Sequence, residues 1–141
     1  MYISSPLSGG RYRFLIADDD AGASRLYQTY AQHRGHEVML ARDGAETLLL
    51  AAAEHPDVIL LDVAMPKLDG RDVLAQLKSN ARTAGIPVMV VSAMASDPNL
   101  RAQLVDLGAD EVLEKPIDLT TAFSRAERLG ERARKAAAGP G

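Results

Sequence analysis

Short apolar runs alternate along this chain with longer stretches in which apolar residues recur every three or four positions. The apolar runs have strand length and lie at residues 13–17, 37–41, 57–62, 86–91 and 110–114. The apolar cores of the third and fourth runs contain no alternating polar residues, which is typical of strands buried on both faces of a parallel sheet. The pattern therefore predicts five strands, and it predicts that the third and fourth are buried on both faces.

Each apolar run is followed by a segment with helical periodicity, and several of these segments have a recognisable boundary residue. Asp43, Asp97 and Asp118 are suited to cap helix N-termini, and Gly35 and Gly108 are suited to follow helix ends. The predicted helices lie at residues 21–34, 44–54, 71–78, 98–107 and 119–135. Strands and helices alternating at this spacing predict an α/β fold, a five-stranded, doubly wound parallel sheet with right-handed crossovers and five helices.

The chain has the length of one ordinary domain, and we find no internal repeat or linker in it. Residues 1–11 are rich in Ser, Gly and Pro and are expected to form a flexible N-terminal arm. The folded domain is predicted at residues 12–135, and residues 136–141 are predicted to form a C-terminal tail.

Composition narrows the classes of function. The formal net charge of −3 over 141 residues argues against nucleic acid as the main partner, since phosphate backbones require basic patches. The chain has no cysteine, which excludes disulfides, thiolate metal sites and cysteine nucleophiles. No apolar run approaches the ~20 residues that a membrane-spanning helix needs, and no signal-peptide pattern begins the chain. We therefore expect a cytoplasmic protein that binds neither nucleic acid nor a membrane.

Polar side chains follow four of the predicted strands. Asp18 and Asp19 follow the first strand, Asp62 ends the third, Ser92 follows the fourth and Lys115 follows the fifth. Because the carboxyl ends of parallel strands share one edge of a sheet, these side chains are expected to converge. Three neighbouring carboxylates repel one another, and a divalent cation such as Mg²⁺ or Mn²⁺ relieves that repulsion. A lysine and a hydroxyl beside such a site suit a phosphoryl group.

Four sequence motifs resemble those of the receiver domain of two-component response regulators. They are Phe-Leu-Ile-Ala-Asp-Asp-Asp at residues 14–20, Leu-Asp and Met-Pro-Lys-Leu-Asp-Gly within residues 61–70, Val-Val-Ser-Ala at residues 90–93, and Gly-Ala-Asp through Lys-Pro at residues 108–116. The resemblance covers residues 13–129. It implies a chemotaxis-regulator-like, flavodoxin-like fold with strand order 2-1-3-4-5, and a cis peptide bond before Pro116.

The resemblance also implies a role for each candidate site residue. Asp62 would accept a phosphoryl group from a sensor histidine kinase, a phosphotransfer protein or a small phosphodonor. Asp19 would bind Mg²⁺ directly (Mn²⁺ being possible), Asp18 mainly through water, and Asp62 and the main-chain carbonyl of Ala64 would complete the metal site. Two further groups would contact the phosphoryl oxygens, namely Ser92 and Lys115.

In such a protein, signalling proceeds through contacts with other proteins. The chain would not be an enzyme beyond catalysing its own phosphorylation and a slow autodephosphorylation. The downstream partner is expected at the face formed by the fourth helix, fifth strand and fifth helix, where charged residues are available at Arg101, Asp110, Glu111 and Arg125. Kinase docking is expected on the first helix, at whichever of Leu26, Tyr27 and Tyr30 is exposed.

Two alternatives remain open, and one position departs from the family pattern. The chain could be an inert pseudo-receiver scaffold, or a phosphatase of the haloacid dehalogenase type with Asp18 as its nucleophile. Val112 stands where the family usually has Tyr or Phe, whose ring turns between a pocket and solvent. Valine has no ring, and its β-branched side chain is stiff, so it cannot make this movement. The three histidines have no metal-ligand spacing and are predicted to be solvated; they are His33, His36 and His55.

Overall fold

A computed structural model describes residues 10–65 and 69–138 of the chain. The strands are β1 (Arg13–Ala17), β2 (Glu37–Ala41), β3 (Val58–Asp62), β4 (Val88–Ser92) and β5 (Glu111–Glu114). The helices are α1 (Ala21–His33), α2 (Gly44–Glu54), α3 (Gly70–Ser79), α4 (Pro98–Asp106) and α5 (Leu119–Ala138). None of the helices in these ranges combines the length and apolarity needed to cross a bilayer.

The five strands form one sheet in the order β2-β1-β3-β4-β5, and every pairing is parallel. The predicted fold and strand order are confirmed. All five residues of β3 and all five of β4 are buried, whereas the edge strands β2 and β5 are only partly covered. The unbroken apolar runs therefore correspond to interior strands whose two faces are both covered by helices.

Two apolar clusters lie on opposite faces of the sheet. One contains Leu15 and Ile59 together with residues of α2, α3 and α4, and the other contains Phe14 and Val58 together with residues of α1 and α5. Neighbouring strand residues enter different clusters because successive side chains of a strand point to opposite faces. The helices are therefore divided between the faces as a doubly wound fold requires.

Aspartates cap the N-termini of the helices. The predicted caps are confirmed: Asp43 accepts from the Glu46 amide at 2.9 Å, Asp97 from Asn99 at 2.9 Å, and Asp118 from Thr121 at 3.1 Å. Two further caps, at Asp20 and Asp69, were not predicted from the sequence. These caps fix where each helix begins, close to the carboxyl edge of the sheet.

The start of α3 lies directly against the end of β3. The Gly70 amide donates to the Val63 carbonyl at 3.2 Å, and a Cβ added at Gly70 would lie 2.8 Å from the Val63 carbonyl carbon. Only glycine permits this approach of the two backbones. The backbone just after β3 and the start of α3 are therefore held together, and residues 66–68 lie outside the described residues.

The predicted element boundaries differ from the structure in a few places. The strand predicted at residues 86–91 occupies Val88–Ser92. The final helix, predicted to end at 135, continues to Ala138 because three consecutive alanines favour helix. Residues 136–138 are therefore helical, and the remainder of the predicted tail lies outside the described residues. Of the predicted arm only Gly10 and Arg11 are described, and the Arg11 side chain donates to the Gly35 carbonyl at 2.8 Å.

The prediction that His36 is solvated is wrong. Its side chain is fully buried, its Nδ1 accepts from the Tyr12 amide at 3.1 Å, and its Nε2 lies 2.6 Å from Glu127. Because Nδ1 accepts a hydrogen bond, the ring proton is on Nε2 and is donated to the Glu127 carboxylate. Arg34 completes the cluster with two bonds to Glu127, at 2.8 and 2.7 Å. His33 and His55 are exposed, as predicted.

The pKa of Glu127 is set by this cluster. Burial raises it, but hydrogen bonds from Arg34 and His36 outweigh burial and hold the pKa below its ordinary value of 4.5. A carboxyl group whose pKa is lowered by folding stabilises the fold above its ordinary pKa. That stabilisation is lost as the pH falls through the pKa of the folded state.

We predict that Glu127→Gln lowers the free energy of unfolding at pH 7 by about 1.5–3 kcal/mol, the cost of losing hydrogen bonds to a charged group. The difference from the wild type should begin to shrink as the pH falls below the ordinary pKa of 4.5 and should be lost below the pKa of the folded state. Urea denaturation at a series of pH values measures both quantities. Glu131→Gln, on the same helix, is the control, and a pH-independent difference for Glu127→Gln would contradict the prediction.

Candidate functional site

Four strand ends bring the predicted site residues to one edge of the sheet. Asp62 and Ser92 are the last residues of β3 and β4, Asp18 directly follows β1, and Lys115 directly follows β5. Asp18, Asp62 and Ser92 are buried, with exposed fractions of 2%, 6% and 2%. The convergence inferred from parallel topology is therefore present in the structure.

Lys115 connects the two buried carboxylates. Its Nζ donates to Asp62 Oδ2 at 2.9 Å and to Asp18 Oδ2 at 3.1 Å. The Lys115 amide donates to the Ser92 carbonyl at 3.0 Å, and the peptide bond to Pro116 is cis, as predicted. Lys115, at the end of β5, thus contacts the ends of β1 and β3 through its side chain and the end of β4 through its backbone.

Backbone amides hold the other polar atoms of the site. Asp62 Oδ1 accepts from the Ala64 amide at 2.9 Å, and Asp18 Oδ1 accepts from the Asp20 amide at 2.9 Å. Ser92 Oγ accepts from the Met94 amide at 3.0 Å. Each amide lies two residues beyond the side chain that it holds, in the turn that leaves the strand. Sequence reasoning missed these donors, because an amide is present at almost every residue and gives no signal of its own.

The pKa values of Asp18 and Lys115 are both raised, but for different reasons. Burial raises the pKa of Asp18 above its ordinary value of 3.8, and the charge of Asp62 adds to the rise, against the hydrogen bonds from Asp20 and Lys115. Burial lowers the pKa of Lys115, but its hydrogen bonds to Asp62 and Asp18 outweigh burial and raise the pKa above 10.5. The lysine therefore stays charged at neutral pH, and it only partly offsets the desolvation of Asp18.

Asp19 extends the acidic cluster to the surface. Carboxylate oxygens of Asp18, Asp19 and Asp62 all lie within 4.8 Å of one another, and Asp19 is exposed. Three carboxylates with no nitrogen or sulfur ligand form the donor set that hard cations such as Mg²⁺ prefer. The residues present therefore fit a hard divalent cation, and the exposed Asp19 gives it access from solvent.

A cleft of about 590 Å³ opens beside this cluster. Its walls come from the segment after β3, the β4–α4 loop and α4, and they include Ala64, Ser92 and Met94. Met94 is 61% exposed. A small molecule can therefore approach the Ser92 side of the site from solvent.

Comparison with known proteins identifies relatives of this chain. A family model described as the response regulator receiver domain matches residues 14–127. The chain is 38% identical over 120 residues to the DNA-binding dual master transcriptional regulator RpaA of Synechocystis, covering 85% of this chain and 49% of that protein. It is equally similar to the response regulator MprA of Mycolicibacterium vanbaalenii, covering 85% of this chain and 51% of that protein. The chain thus spans about half the length of these curated relatives.

A solved structure agrees with the sequence relatives. The receiver domain of the Francisella response regulator 1452 superposes with a TM-score of 0.80 at 30% identity, covering 86% of this chain and 98% of that one. The similarity therefore extends over nearly the whole of that domain.

We predict that Lys115→Met raises the pKa of Asp18 further, because the carboxylate then loses both a hydrogen bond and a neighbouring positive charge. Carboxyl ¹³C chemical shifts followed through a pH titration in metal-free buffer measure this pKa. Lys78→Met is the matched control, since Lys78 pairs with Asp110 at 3.0 Å, away from the acidic cluster. An Asp18 pKa that is the same in Lys115→Met and wild type would contradict the prediction.

Proposed function

The chain belongs to the response regulator receiver domain family, and on that premise we propose that it is a phosphorylation-controlled signalling module in which Asp62 accepts the phosphoryl group. The observation that carries the proposal is the placement of the Lys115 ammonium 2.9 Å from the Asp62 carboxylate, with oxygens of Asp18 and Asp19 within 4.8 Å. A buried carboxylate with a cation and a metal-competent acidic pair beside it is equipped to attack phosphorus and to tolerate the added charge.

In the proposed reaction, a carboxylate oxygen of Asp62 forms a bond to the phosphorus of the donor. The donor is a phosphohistidine of a kinase or phosphotransfer protein, or a small acyl phosphate. The bond from phosphorus to the donor nitrogen or oxygen breaks, and its electron pair leaves with the donor. Lys115 neutralises part of the charge on the transferred group. Ser92, whose Oγ accepts from Met94, can turn its own proton toward a phosphoryl oxygen.

We propose that Mg²⁺ is the resident metal (Mn²⁺ being an alternative), held by Asp18, Asp19, Asp62 and the carbonyl of Ala64. When bound, the metal neutralises charge on the phosphoryl oxygens. Asp18 and Asp62 are fixed by the Asp20 and Ala64 amides, so their orientation does not depend on the metal. Asp20 has a different task, because its side chain caps α1 by accepting from the Gly22 and Ala23 amides.

We propose two docking surfaces for protein partners. On α1, Leu26 is 55% exposed whereas Tyr27 is buried, so Leu26 is the residue offered to a kinase. On the face formed by α4, β5 and α5, Val105 is exposed and Glu111 pairs with Arg125 at 3.2 Å. Asp110 is withdrawn from that face, because it accepts from Lys78 and from the Val88 amide. The proposal includes a cytoplasmic location and no enzymatic activity beyond self-phosphorylation and slow autodephosphorylation.

The phosphatase alternative has no support in the comparisons, because the family match covers residues 14–127 and includes every strand end of the site. The inert scaffold is the alternative hypothesis, and an experiment on Asp62 phosphorylation must distinguish it from the proposed function. The domain limits are likewise proposed, with the receiver at residues 12–135.

We predict that incubation with Mg²⁺ and acetyl phosphate adds the mass of one phosphoryl group to the wild type and none to Asp62→Asn. Asp62→Asn replaces the nucleophilic carboxylate by an uncharged, weakly nucleophilic amide, whereas Asp97→Asn, a control that retains a helix-capping side chain, should still gain the mass. Intact-protein mass spectrometry at neutral pH measures the outcome. A wild-type protein that gains no mass, or an Asp62→Asn variant that gains it, would count against the assignment.

We predict a second difference between two adjacent aspartates. Asp19→Asn should weaken Mg²⁺ binding about tenfold or more, the scale of loss when groups that support a metal site are removed. Asp20→Asn should leave the affinity unchanged, because asparagine still caps α1. Mg²⁺ titration followed by amide chemical shifts measures both constants. Equal weakening in the two variants would mean that general negative charge, rather than a site, attracts the ion.

A further inference from the structure

The fourth helix has a smaller buried surface than its neighbour α3. Of the nine residues of α4 only Leu104 is buried, whereas α3 buries Gly70, Val73, Leu74 and Leu77. Burial of apolar side chains is what fixes most helices against a sheet. The position of α4 must therefore depend more on polar contacts made by its side chains.

One of these contacts joins α4 to two other elements. Arg101 Nε donates to the Ala95 carbonyl at 3.1 Å, and Arg101 Nη1 donates to the Val112 carbonyl at 3.3 Å. We call this pair of bonds the Arg101 bridge. It spans α4, the loop between β4 and α4, and the strand β5. A guanidinium can hold two acceptors at once because its N–H groups form a rigid planar fork.

The loop end of the Arg101 bridge leads back to the site through consecutive hydrogen bonds. The Met94 amide donates to Ser92 Oγ at 3.0 Å, and the Ala95 amide donates to the Ser92 carbonyl at 3.3 Å. Ala95 is fully buried. The Ser92 hydroxyl can accept from the Met94 amide and donate to a phosphoryl oxygen at the same time. If its oxygen shifts toward a phosphoryl group, the Met94 amide bonded to it shifts too, and so does the carbonyl of the next residue, Ala95.

We propose that the Arg101 bridge reports the state of Asp62 to the face formed by α4, β5 and α5. This inference rests on the proposed function of Asp62. Before phosphorylation, the bridge holds the β4–α4 loop against β5. When the loop moves toward the phosphoryl group, the Ala95 carbonyl leaves Arg101, and the guanidinium turns outward.

Arg101 can act at the surface because it is exposed and already lies among the residues that a partner would touch. Val105, one helical turn further along α4, is 56% exposed. Val112 contributes only its carbonyl to the bridge, so its apolar side chain is no obstacle to this mechanism. The released guanidinium beside Val105 fits a partner surface that presents a carboxylate next to an apolar side chain.

The first test follows the Arg101 side chain itself. The Nε–H signal of Arg101 is compared by NMR in wild-type protein with and without Mg²⁺ and beryllofluoride, which stands in for the phosphoryl group. We expect its shift to change and its hydrogen exchange to accelerate. The internal control is Arg34, whose Nε–H donates to Glu127 at 2.8 Å and should be unaffected.

The second test replaces Arg101. Arg101→Met keeps an unbranched apolar stem and removes both donors, so the amide signals of residues 93–97 should move toward their positions in the modified wild type. Phosphorylation by acetyl phosphate should become about two- to tenfold faster, the effect of losing one hydrogen bond that favours the unmodified loop. Arg125→Met is the matched control. It removes a cation from the same face, but the contact it removes is the ion pair between Arg125 and Glu111 rather than the Arg101 bridge.

The outcomes separate the two proposals. Amide signals of residues 93–97 that are unchanged in Arg101→Met would overturn the bridge, and so would equal effects in Arg101→Met and Arg125→Met. Modified Asp62, verified by mass in the same sample, with an unchanged Arg101 signal would overturn the bridge and leave the phosphoacceptor assignment intact. Failure of the wild type to be modified at Asp62 would overturn both.

Discussion

The constraint on which the structure depends is the burial of two carboxylates beside one ammonium group. Asp18 and Asp62 lie at the ends of neighbouring interior strands, and Lys115 reaches both from the edge strand. The strand order places β1 and β3 side by side, so the two acids come together without any contribution from sequence proximity. Backbone amides hold the two carboxylates, and aspartate caps fix the starts of the surrounding helices. A third carboxylate, which is exposed, opens the cluster to solvent.

Another buried carboxylate, with cationic and histidine donors, lies at the opposite end of the sheet, and its contacts stabilise the fold. Glu127 receives hydrogen bonds from Arg34 and His36, and its pKa is lowered. Asp18 is also buried and bonded to a cation, yet its pKa is raised. The first carboxylate has enough donors to compensate for its burial, and the second does not. Incomplete compensation is typical of sites that are arranged for a ligand rather than for stability.

Most of the fold and most of the site were predictable from local signals. The apolar run that ends at Asp62 identified both an interior strand and a buried carboxylate at the edge of the sheet, and Lys115 and Ser92 followed from the same argument about strand ends. His36 was not predictable, because its partner Glu127 is 91 residues away and neither residue stands in a recognisable motif. The bonds of Arg101 were also hidden, since both acceptors are backbone carbonyls, which the sequence does not distinguish. Local sequence patterns do not show contacts between residues far apart in the chain, nor hydrogen bonds from side chains to backbone carbonyls.

The close packing of Gly70 against Val63 gives the site a mechanical asymmetry. On the α3 side, a backbone hydrogen bond and a contact too tight for any side chain make the support stiff. On the α4 side, one buried leucine and a few polar bonds make it compliant. A change in charge or geometry at Asp62 is expected to displace the more weakly packed neighbours first. We therefore expect the α4 side to adjust to changes at Asp62 while the contact between Gly70 and Val63 keeps the α3 side in place.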